Sequence, residues 1–125
     1  MQDAPTPPQI LEGIARFLRD TVVPQLKGAA QYDARIAASL LQIVQRQLDH
    51  GEPAEASELA SLRALLNADD GDLPQLNRRL CERIASGGFA LDDPQLLNHL
   101  WATTLAKMAV DQPGYSTYER VSKAP

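Results

Sequence analysis

Asp92-Asp93-Pro94-Gln95-Leu96-Leu97-Asn98-His99-Leu100-Trp101-Ala102-Thr103-Thr104-Leu105-Ala106-Lys107-Met108-Ala109-Val110-Asp111 decides the fold class. An acid followed by proline opens a helix, because the carboxylate accepts from orphan first-turn amides and proline suits the first helical position. Leu96, Leu97, Leu100, Trp101, Thr104, Leu105 and Met108 then recur at three- and four-residue steps until Pro113-Gly114 ends the run. Ala102, Ala106, Ala109 and Val110 fill the other side. A helix apolar most of the way round is predicted to lie at the centre of a bundle, and the largest single-site penalties are expected there.

The rest of the chain reads the same way. Asp72 is placed to cap a helix carrying Leu73, Leu76, Leu80 and Ile84, which Gly87-Gly88 stops. Asn67-Ala68-Asp69-Asp70-Gly71 before it is a turn-rich loop. Ala54 to Leu66 is predicted as a peripheral helix with a narrow stripe of Leu59, Leu62, Leu65 and Leu66, entered by a turn at Glu52-Pro53. Upstream, a helix from about Ala30 to His50 is expected to bury Ile36, Ala37, Leu40, Leu41, Val44 and Leu48 and to end on Gly51 in a left-handed cap. Thr6-Pro7-Pro8-Gln9 opens the first helix, whose buried stripe is Ile10, Leu11, Ile14, Phe17, Leu18 and Val22, closed by Pro24 and Gly28. The reading is all-α: a compact bundle of about five helices over residues 1–111. Residues 112–125 follow as an extended tail, flexible or partner-docking, because they carry no apolar period.

Composition narrows the function classes. A chain of 125 residues supports one core, and its apolar residues are mostly Leu and Ala, both strong helix formers. Lys and Arg number 12 against 16 Asp and Glu, a net charge of -4 with the basic residues scattered, so nucleic acid is not expected as a partner. No apolar run approaches the ~20 residues needed to span a bilayer, and no membrane association is expected. One cysteine, Cys81, has no partner within the chain, and no secretory signal opens it, which points to the cytoplasm. Cys81 reads as a small core or boundary residue.

No catalytic constellation stands out. His50 and His99 lie in different helices without a metal-ligand spacing, so no metal and no cofactor is expected. Asp69-Asp70 and Asp92-Asp93 are accounted for by a turn and a cap. Gly87-Gly88 follows a helix rather than a strand, which rules out a standard phosphate loop. The ligand-binding candidates are Arg35, whose guanidinium shares a helix face with Tyr32 and suits a phosphate or carboxylate, and the ridge His99, Thr103, Lys107 at four-residue steps. Their bland alternatives are a solvated arginine and a polar seam. Tyr115 and Tyr118 put aromatic rings on the tail and are the candidates for partner docking.

Met1-Gln2-Asp3-Ala4-Pro5-Thr6, Ala34-Arg35-Ile36-Ala37-Ala38, Gly71-Asp72-Leu73 and Leu105-Ala106-Lys107-Met108-Ala109-Val110-Asp111-Gln112-Pro113 resemble an uncharacterised bacterial family of small helical proteins. That family is often encoded beside aminoglycoside-phosphotransferase-like kinases and acyl-CoA dehydrogenases. The resemblance implies an accessory role and supplies no catalytic residue. The expected function is therefore a non-enzymatic interaction protein for a kinase-like or acyl-CoA dehydrogenase-like partner. The alternative is a small enzyme or a domain binding an acyl-CoA-like or phosphorylated ligand in a cleft near Arg35 and His99. Leftover apolar surface on the helix at 94–111 leads to the expectation of a homodimer.

Overall fold

Each helix starts and stops where its local chemistry directs. In the computed structural model, which describes residues 3–124, α1 runs Pro7–Phe17, and the Gln9 side chain accepts from the Thr6 amide at 2.8 Å. The chain then widens into a π-helical turn, Leu18–Val22, and tightens into a 3-10 turn, Val23–Gln25, that contains Pro24. Next come α2, Gly28–Leu66, and α3, Leu73–Ala85. They are followed by α4, Pro94–Asp111, and α5, Ser116–Ser122. Among the described residues there is no strand, so the protein is all-α.

Caps fix the internal boundaries. Asn67 ends α2 in the left-handed region at φ 50°, and the following amide returns to the Arg63 carbonyl at 3.0 Å while Ala68 is buried. Asp72 and Gln75 bond each other's backbone amides at the start of α3. Gly87, at φ +76°, ends α3, and Gly88 returns its amide to the Arg83 carbonyl at 2.8 Å. A Cβ at Gly88 would press on that same carbonyl, so both glycines are required and Phe89 can fold back under the Arg83 guanidinium, 4.6 Å from its ring centre. Asp93 Oδ1 accepts from the Gln95 and Leu96 amides at 3.0 and 2.9 Å and opens α4.

Two helix boundaries differ from the sequence reading. The segments 30–50 and 54–66 form one 39-residue helix, with Gly51 and Pro53 inside it. Pro53 lacks the N–H that would reach the Asp49 carbonyl and its ring crowds that carbonyl, yet the helix runs on through Gly51 and Pro53 into Ala54-Glu55-Ala56. The stretch expected as an extended arm instead carries α5. Seven residues are too short for a periodic signal or for stability in isolation, so packing on α4 decides its state.

Contacts divide the chain into two units, Met1–Gly51 and Glu52–Pro125. In the first, the Gln31 amide donates to the Val23 carbonyl at 3.0 Å and the Arg19 guanidinium to Gln42 Oε1 at 2.8 Å. Ala15, Val23 and Ala38 are its buried hydrophobic residues among those described, whereas Ile10, Ile14, Phe17, Ile36, Leu40, Val44 and Leu48, all expected in the core, are exposed. Periodicity reports that a face is apolar, not what covers it.

The second unit holds the continuous core: Leu62, Leu65, Leu66 and Ala68 from α2 and its cap, Leu76 and Leu80 from α3, and Leu96 from α4. Leu62 and Leu76 are 0% exposed. The segment read as peripheral is thus the centre. By contrast, α4 buries Leu96, His99 and Val110 while Leu97, Leu100 and Trp101 face outward, so its all-round apolar character does not mark a central helix. Cys81 is exposed too, because the step from Leu76 to Leu80 turns the next residue away from the core.

Candidate functional site

The polar residues of the second unit gather where α2, α3 and α4 approach one another. His99 is 4% exposed, the buried polar side chain of α4. Its Nδ1 lies 2.8 Å from the Ser61 hydroxyl, and either neutral tautomer makes that bond. One turn earlier on α2, the Glu58 carboxylate accepts from the Asn77 amide at 2.9 Å. Burial holds the His99 pKa below its ordinary value of 6.5; the Glu58 carboxylate opposes this shift and the Lys107 ammonium adds to it. The ring is neutral at physiological pH.

A hydroxyl within bonding distance of a neutral imidazole is the elementary unit of nucleophilic catalysis. Here the ring is 4% exposed, and the bond that Glu58 makes runs to Asn77 and not to the imidazole. No buried side-chain nitrogen or oxygen among the described residues lacks a partner, those of the cluster of Ser61, His99, Glu58 and Asn77 included. Its physical effect is to tie α2 to both α3 and α4.

Thr103 and Lys107 continue the ridge from His99, with different fates. The Thr103 hydroxyl donates to the His99 carbonyl at 2.8 Å and Thr104 does the same to Leu100 at 2.7 Å, so both hydroxyls are spent on their own helix. Lys107 is exposed and acts on His99 through its charge. Tyr32 and Arg35 belong to the first unit, where both are exposed on α2. Sequence reasoning missed Ser61, Glu58 and Asn77. The signal for Ser61 was its place within the leucine stripe of 59–66, where a polar residue must find a partner.

Tyr115 and Tyr118 line an apolar groove of about 150 Å³ between α4 and α5, together with Trp101, Thr104, Leu105 and Met108. Both tyrosines line this groove of their own chain, and Tyr115 is still 55% exposed. The groove is well below the ~300 Å³ at which pockets for drug-sized ligands begin.

Among the described residues, no group of three His, Cys, Asp or Glu side chains converges as a metal site would require. No helix among them is long and apolar enough to cross a membrane. What fold and site define is an all-α protein with a polar cluster between its helices and broad apolar faces left outward. Residues 24–115 match the family described as Domain of unknown function (DUF6285), and the chain belongs to that family. No curated protein and no solved structure matches the chain. The family match takes in the Ser61 to His99 cluster and stops before Tyr118.

Proposed function

We propose that this chain is a non-enzymatic interaction module that docks on a kinase-like or acyl-CoA dehydrogenase-like partner through the outward face of α4. One observation carries the reading. Leu97 and Trp101 stand on the side of α4 turned away from Leu96 and His99, with Leu100 at its flank, and Trp101 is 55% exposed. Packing of α5 reaches that face from Trp101 through Thr104, Leu105 and Met108, while Leu97 and the outer part of Trp101 stay open. An apolar strip containing a tryptophan is the usual composition of an interface centre. The expected result is that a tagged chain, co-expressed with a kinase-like or dehydrogenase-like protein encoded beside it, retains that protein at low salt. Leu97→Glu should abolish retention without changing the helical signal. Retention of neither protein overturns the reading.

A second reading, a domain that binds or turns over an acyl-CoA-like or phosphorylated ligand, draws on the Ser61 hydroxyl beside a neutral His99. Ligand at 100 times its dissociation constant adds about 2.7 kcal/mol of stability. A thermal-shift series with CoA esters and phosphorylated compounds is expected to show no such gain, because the described groove is small and the Ser61–His99 pair is almost wholly buried at the ring. A clear shift would favour this reading over the first.

A further inference from the structure

Leu97, Trp101, Thr104, Leu105 and Met108 fall within about 100° of one another around the axis of α4, a single face opposite the buried Leu96, His99 and Val110. From Trp101 onward this face is not bare. Tyr115, Tyr118 and Val121 follow one another at three-residue steps along α5 and line the same groove as Trp101, Leu105 and Met108. The cover of the face is thus a segment of this chain.

That cover is held weakly. Seven residues fall well short of the ~12–15 at which a helix becomes even marginally stable in water, so α5 is helical only while it is seated. Yet the seat is incomplete. No residue of α5 is buried, Tyr115 is 55% exposed, and a space of about 150 Å³ remains between the two helices. The Tyr115 amide donates to the Gln112 carbonyl at 3.0 Å and the Ser122 hydroxyl to the Glu119 carbonyl, bonds that stay within 112–122. Gln112-Pro113-Gly114 makes the joint, and a Cβ at Gly114 would meet nothing within 4 Å, so the joint has room to turn. The family match takes in the face on α4 and ends at residue 115, one residue before α5 begins.

We propose that α5 is a strap that releases from α4 and re-seats on it, and that its release opens the face from Leu97 to Met108 to the partner. This rests on the docking reading above and adds its regulation. With α5 seated, a partner reaches Leu97 and the outer part of Trp101, about one turn of helix. With α5 released it gains Leu105 and Met108, an apolar face roughly 17 Å long. The partner element that takes the place of α5 shares its chemistry: a helix presenting aromatic or β-branched side chains at three-residue steps, as Tyr118 and Val121 do. A released state populated at roughly 0.1–10% lowers partner affinity by the reciprocal of that fraction, about 10- to 1,000-fold.

Hydrogen exchange on the full wild-type chain tests the strap without a partner. Amides of Glu119 to Ser122 should exchange about 10- to 1,000-fold slower than in a free peptide, and those around Leu62 and Leu76 far slower still. Exchange of α5 as slow as that of the core overturns the proposal, because the strap would not open. Exchange at the free-peptide rate overturns it as well, because the strap would not close. Tyr118→Asp, and independently Val121→Asp, should bring 119–122 to the free-peptide rate and shift the emission of Trp101, the one tryptophan of the chain, to the red. Each should also strengthen retention of the kinase-like or dehydrogenase-like neighbour by the factor to which α5 was protected, since one released fraction sets both quantities. Leu97→Glu added to Tyr118→Asp should cancel that gain. Weaker retention in Tyr118→Asp overturns the strap and makes that ring part of the partner contact. If α5 opens as described but neither the wild type nor Tyr118→Asp retains a neighbour, the docking reading fails and takes the regulatory half of this one with it. A strap that fails by exchange leaves the docking reading standing.

Discussion

Leu76→Ala is expected to lower unfolding stability by about 3–4 kcal/mol, as is Leu62→Ala, with a matching fall in the midpoint of urea denaturation. Both leucines are 0% exposed and sit in one cluster with Leu65, Leu66, Leu80 and Leu96, so truncation removes apolar contact and leaves a cavity that fixed helices cannot close. The loss is a large share of the 5–15 kcal/mol that holds an ordinary domain together. The contrast with α4 makes the measurement decisive. Leu97→Ala changes a residue of the same chemistry that is already half exposed, and its cost should stay below ~1 kcal/mol. If Leu97→Ala were the more damaging change, α4 would be the central helix that its apolar circumference first indicates, and the core described above would be misplaced.

Ser61→Ala should cost about 1–3 kcal/mol, far more than an ordinary surface substitution, because it strands the buried His99 nitrogen without its partner. The same ring makes stability depend on pH. Burial, the largest cause, and Lys107 hold the His99 pKa below 6.5 in the folded chain, with Glu58 pulling the other way. On acidification the unfolded chain therefore takes up this proton first. The stability contributed by the neutral ring is complete above pH 6.5 and is lost as pH falls through the folded pKa. Urea denaturation above and below pH 6.5 checks this: the wild type should weaken on the acid side, and His99→Asn, which has no ring to titrate, should show a shallower decline. Equal slopes for the two proteins would remove His99 from the explanation.

Legibility followed sequence distance. The opening of α1 at Thr6 to Gln9, the caps at Asp72 and Asp93, the stop at Gly87 and the turn at Asn67 were readable because each depends on atoms within five residues of one another. The bridge through Gly51 and Pro53 was misread, since both residues are helix breakers in isolation and only context keeps the helix running. Half of the polar cluster was visible as the ridge His99, Thr103, Lys107. Its other half, Ser61 with Glu58 and Asn77, was hidden, because Ser61 lies 38 residues from His99 and no local pattern links them.

From its own residues the chain determined that it is helical, where most of the helices begin and end, and which of their sides are apolar. Those properties come from propensity, capping and period, all of which act over one or two turns. Only the tertiary structure decided which apolar sides are used. It buried Leu62 and Leu76, turned Leu40 and Trp101 outward, and made a helix of the segment 116–122. Burial depends on what lies opposite a face, and a helix presents the same period whether its neighbour is another part of the chain, a second molecule or water.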